Sequence, residues 1–174
     1  MRTSPRKIAN EQELYASALR ALMRRAHSIH EMKEYLGRRS EDKEAIAPVI
    51  ARLREQNYLD DGKFALDYAR AHAQTRRQGR FRIARELRTR GVPDRYIDAA
   101  LDAIFAETDE AALARKRIER MLGRMRGPVD QRRLASVYRS LLRAGFSADL
   151  IRSELRAFSR GETPSFPDST EDEQ

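Results

Sequence analysis

Five arginines stand against a single carboxylate, Glu86, in the fourteen residues GRFRIARELRTRGV from Gly79 to Val92. A guanidinium is always charged and binds phosphates and carboxylates in bidentate fashion, so such a stretch suits a polyanion. At about 100° per helical residue, Arg82, Arg85 and Arg88 fan out at roughly 60° intervals, while Ile83, Ala84 and Leu87 gather on the other side. A second set follows in ARKRIERMLGRMR, where Lys116, Arg120 and Arg124 lie four residues apart in one stripe. Like charges at that spacing cost a few tenths of a kcal/mol per pair, and a merely solvated face mixes its signs. A bound polyanion would relieve the repulsion. The candidate partner- and DNA-binding residues are therefore Arg76, Arg77, Arg80, Arg82, Arg85 and Arg88, with Lys116, Arg120 and Arg124 next.

Little else in the chain carries chemistry. There is no cysteine, which excludes disulfides and thiolate catalysis. The three histidines, His27, His30 and His72, form no metal-binding motif, and neither a glycine-rich phosphate loop nor a nucleophile elbow occurs. Asp60 and Asp61 read as helix caps rather than as a metal site. No catalytic residue, cofactor or metal is expected, and the protein is not expected to be an enzyme. Asparagine occurs only at Asn10 and Asn57, away from the arginine faces, so phosphate neutralisation is favoured over direct base reading. The 174 residues carry a formal charge of +8 and a pI near 10.2, which favours acidic partners but says nothing about fold. No apolar run reaches the roughly 18 residues of a membrane helix, and the N-terminus lacks a signal core, so a cytoplasmic protein is expected.

Nine helices must position these side chains. Capping pairs Asn10/Glu13 and Ser28/Glu31 open the first two. A third runs roughly from Lys43 to Gln56, kinked at Pro48 or starting later than drawn. Asp60 caps the fourth, and Gly91 stops the fifth, the arginine helix. Pro93 begins the sixth, the seventh spans about Asp109 to Met125, the eighth opens at Pro128 and closes at Gly145, and Ser147 caps the ninth. An internal repeat underlies the series. Gly91, Val92, Ile97 and Leu101 match Gly145, Phe146, Ile151 and Leu155, and a fainter copy without the glycine precedes them. The expected fold is all-α, three tandem three-helix repeats in an elongated, curved helical array. The repeats cover residues 10–58, 59–106 and 107–160, with a flexible N-terminus at 1–9 and a disordered acidic tail at 161–174.

ALRALMRRAHSIHEMKEYL, LREQNYLDDGKFALDYAR and GRFRIARELRTRGV, in that order, resemble the successive motifs of the RecX family, and LLRAGFSADLIRSEL resembles its closing motif. The likeness covers roughly Leu19 to Phe158, although Asn57 stands where the family usually has glycine and the acidic tail matches no motif. The resemblance implies three tandem three-helix repeats and a non-enzymatic modulator, mainly an inhibitor, of the RecA recombinase. It further implies binding in the groove of the RecA–DNA filament, limiting recombination, ATP hydrolysis and co-protease action. The partners so implied are the RecA filament and single- or double-stranded DNA without sequence preference, with the protein monomeric and away from membranes. The competing reading is a free-standing, sequence-nonspecific DNA-binding protein of helix-turn-helix-like units.

Overall fold

The computed structural model describes residues 8, 10–40, 42–124 and 129–159. The expected acidic tail, and all but Ile8 of the expected flexible N-terminus, lie outside them. The described residues form nine α-helices: α1 Glu11–Leu22, α2 Ile29–Gly37, α3 Ile46–Glu55, α4 Asp61–Gln74, α5 Arg80–Thr89, α6 Asp94–Glu107, α7 Glu110–Leu122, α8 Gln131–Ala144 and α9 Ala148–Ser159.

Local chemistry accounts for most boundaries. Ser28 and Glu31 close a full capping box, and Asp60 accepts hydrogen bonds from Gly62 N at 2.7 Å and Lys63 N at 3.0 Å. Asn10 caps α1, but through Gln12 N rather than Glu13 N. Helix α3 begins at Ile46, which puts Pro48 in the first turn, where its missing N–H has no intrahelical partner to lose. Pro93 is the residue before α6 rather than its first, and α8 opens at Gln131, where Asp130 caps Arg133 N, rather than at Pro128. Asn57 takes φ +58°, the left-handed conformation that glycine favours and asparagine tolerates.

The helices pack in threes. Every substantial helix–helix packing lies within α1–α3, α4–α6 or α7–α9. Each unit has its own core: Leu14, Met32, Leu36 and Leu53 in the first, Ile83, Leu87 and Ile97 in the second, and Ile118, Leu141 and Ile151 in the third. The family resemblance and the packing agree on three tandem three-helix repeats. Gly91 and Gly145 occupy matched turns at φ +70° and +91°, and Val92, Phe146, Ile97, Ile151 and Leu101 are all buried. Leu155 is only partly buried against the third core. Units of this size bury too little apolar surface to stand alone. Their joints therefore matter.

Candidate nucleic-acid interface

One docking device joins neighbouring units. The N-terminus of a unit's second helix sits on the turn between the second and third helices of the next unit. At the first joint, Ser28 Oγ donates to Arg90 O at 2.6 Å, and Ile29 N donates to Asp61 Oδ1 at 2.9 Å. Arg90 reaches back to Glu31 at 2.6 Å, and Arg25 holds the other carboxylate oxygen at 2.9 Å. Burial opposes ionisation of Glu31, but the hydrogen bonds from Arg25 and Ser28 outweigh it and hold the carboxyl below its usual range. Asp61 goes the other way. Its burial dominates and raises its pKa, even though Ile29 N favours the charged form. Asp60 and Asp61 are thus spent on a cap and a joint, as helix-start carboxylates commonly are. No group of three His, Cys, Asp or Glu side chains suited to a metal occurs among the described residues.

At the second joint the main chain makes the central contacts. Gly79 N donates to Ala144 O at 2.8 Å and Phe81 N to Gly145 O at 3.1 Å. The unpaired amides at the start of α5 thereby satisfy the unpaired carbonyls at the end of α8. Arg80 N adds a bond to Glu110 at 3.1 Å. A Cβ on Gly79 would strike Gly145 O, and one on Gly145 would strike the backbone of Arg82. The loop that delivers Gly79 holds Arg77 at φ +50° and buries Gln78, whose Oε1 lies 2.7 Å from His72 Nδ1. Burial keeps the His72 imidazole below its ordinary pKa, so it is neutral near pH 7.

These joints sort the candidate arginines. Arg80 ion-pairs with Asp102 at 3.4 Å and lies over the Phe105 ring. Arg82 bonds Glu86 at 2.8 Å and reaches Arg143 O at 3.4 Å. Glu86 also accepts from Tyr68 at 2.6 Å, and bonds from Tyr68 and Arg82 overcome its burial and keep it ionised. Arg88 pairs with Asp94 at 2.7 Å on the surface. Among the described residues, Arg76, Arg85, Lys116, Arg120 and Arg124 are exposed and Arg77 is half-buried, and none of the six has a carboxylate partner.

Arg117, absent from the sequence-derived set, joins them. Its Nε is buried without a hydrogen-bond partner, and it feels the charges of Arg120 on its own helix and Arg82 across the joint. On a helical wheel it borders the buried stripe of Ala114, Ile118 and Leu122, which makes it look like a core-edge residue. Only the docking of α5 onto the third unit reveals the cationic seam.

A helical-repeat protein whose joints leave cationic faces outward is the class these features define. Family models described as the first and second three-helix domains of RecX match residues 15–53 and 60–101. A regulatory protein RecX of Halorhodospira halophila is 41% identical over 81% of this chain and 85% of its own length. One of Geobacillus kaustophilus is 31% identical over 83% of this chain, which spans 53% of that longer relative. The crystal structure of RecX from Lactobacillus salivarius shares the fold with a TM-score of 0.75 at 20% identity, covering 86% of this chain and 97% of that one. The chain belongs to the RecX family. No helix among the described residues is long and apolar enough to cross a membrane.

Proposed function

We propose that this chain is a non-enzymatic regulator, mainly an inhibitor, of the RecA recombinase. It acts as a cytoplasmic monomer lying in the groove of the RecA–DNA filament, its exposed cationic faces against DNA phosphate and acidic protein surface. The carrying observation is the set of unpaired cations. Arg85 on α5 and Lys116, Arg120 and Arg124 on and just after α7 are exposed and face no carboxylate among the described residues. Arg80, Arg82 and Arg88 already have acidic partners, so the outward charge moves from the centre of α5 toward α7.

The test titrates the protein into RecA, single-stranded DNA and ATP and follows hydrolysis. The parent should suppress it. Replacing Arg85, Lys116 and Arg120 together by Glu should leave the melting curve within about 0.5 kcal/mol of the parent, since all three side chains are exposed. Inhibition should fall at least tenfold, and each lost phosphate contact should flatten the log-affinity against log-salt slope by roughly 0.7–0.9. Full inhibition by the folded triple variant would remove this interface. A parent that binds duplex DNA yet leaves hydrolysis untouched would point instead to a free-standing DNA-binding protein.

A further inference from the structure

Phe81 is 59% exposed on the arginine helix, an unusual position for a large apolar ring beside guanidinium groups. It occupies the second position of α5, and its amide is bonded to Gly145 O, so its backbone is pinned to the third unit. Phe81, Arg85 and Arg88 recur at i, i+4 and i+7 and are all exposed, while Ile83, Ala84 and Leu87 are buried on the opposite side. The ring therefore stands in line with an unpaired guanidinium one turn away. Around the same joint lie Arg117, with its buried and unbonded Nε, and Arg120. Burial and the charges of Arg120 and Arg82 push the Arg117 pKa down, as expected where guanidinium groups crowd together without an anion.

We propose that the joint between the second and third units is a single-stranded DNA site, in which Phe81 stacks on an unpaired base while Arg85 and the Arg117–Arg120 pair take neighbouring phosphates. A flat ring beside arginines matches a strand whose bases are open: stacking is tolerant of sequence, and cations track the backbone. Duplex DNA hides its base faces and would leave the ring in water. An acidic peptide would satisfy Arg85 and Arg117 but gives no use to the aromatic ring beside Arg85. The main-chain bonds of the joint hold ring and cations in register before any strand arrives. This inference rests on the reading of the cationic faces as a nucleic-acid interface and specifies which form of DNA meets this part of them.

The chain contains no tryptophan, so Phe81→Trp provides a single fluorescent reporter. Its emission should be quenched by a thymidine oligonucleotide and unaffected by a duplex of equal length. Phe81→Ala should weaken single-strand binding about tenfold, the loss of one stacked base, with duplex binding and salt slope unchanged. Phe81→Leu should not restore binding, whereas Phe81→Tyr should. Arg120→Ala should instead flatten the salt slope by roughly 0.7. Melting curves of each variant verify folding. Equal quenching by both DNA forms, or single-strand affinity unchanged in folded Phe81→Ala, overturns the stacking site. Retained RecA inhibition in that same variant would leave the proposed function standing. Quenching by the RecA filament but not by free single strands would assign Phe81 to a protein contact and also overturn the proposal.

Discussion

The two joints set equivalent pieces of structure against each other in different materials. Ser28 and Gly79 precede the second helix of their units, and both reach the same carbonyl in the repeat, Arg90 O and Ala144 O. Ser28 does so with its hydroxyl, and Gly79 with its amide. The first joint is then completed by Asp61 and the Glu31–Arg90 pair, the second by the Phe81 N–Gly145 O bond, the bonds from Arg80 N to Glu110 and from Arg82 to Arg143 O, and two glycines without room for a Cβ. A side-chain joint can be adjusted one residue at a time and responds to pH and salt. The main-chain bonds that carry the second joint are indifferent to both but tolerate no added atom.

The largest effect expected from this contrast is that of Gly145→Ala. The left-handed backbone alone costs ~1–3 kcal/mol for a residue with a Cβ, and the new methyl would also meet the backbone of Arg82. Thermal melting should show the loss, equal in low and high salt. Gly91→Ala should cost a comparable amount, because φ +70° carries the same backbone penalty and its new methyl would meet Cβ and Cγ of His30, atoms fixed by the α2 backbone. A Gly91 variant that melts as the parent does would show that α2 can withdraw from the turn.

Glu31→Gln should have an intermediate effect, about 1–2 kcal/mol at pH 7, through the weakened bonds to Arg25 and Arg90. Because the folded-state pKa of Glu31 is depressed, its stabilisation is present above the unfolded value and lost as pH falls through the folded one. Denaturant melts of parent and variant should therefore converge in acid, and the gap should narrow with added salt. A gap that persists at low pH would deny the carboxylate its role.

Asp61→Asn should have the smallest effect, with the opposite sign. The raised folded-state pKa of Asp61 means that ionisation costs stability above that value. Asparagine can still accept from Ile29 N without the charge, so the variant should be slightly more stable at neutral pH. The gain should vanish as pH drops below the unfolded carboxyl value. A destabilised variant would show that the charge itself holds Ile29.

Much of this architecture was legible because it is local. The left-handed glycines, the caps at Ser28 and Asp60, and the buried stripe of Ile83, Ala84 and Leu87 follow from residues within a turn or two of each other. The joints do not. A helical wheel gives the side on which Arg82 lies but not that Gly145 lies across from it, nor that Glu86 and Arg143 O would engage it. Arg80 and Arg88 lost their apparent freedom in the same way, to Asp102 and Asp94. Arg117 was concealed for the complementary reason: its importance comes from a charge on another helix. Even a signal within reach, the missing side-chain cap at Gly79, gains meaning only when the partner carbonyls are known.

That uncapped opening of α5 has a consequence for synthesis. On the ribosome, Gly79 and Phe81 emerge well before Ala144 and Gly145, the residues whose carbonyls they need. Until α8 has been translated and folded, the amides of Gly79 and Phe81 have no permanent partner and can only be hydrated. The second unit therefore finishes folding on a timetable set by the third, and a nascent chain stalled in α7 would display an arginine segment frayed at its leading end.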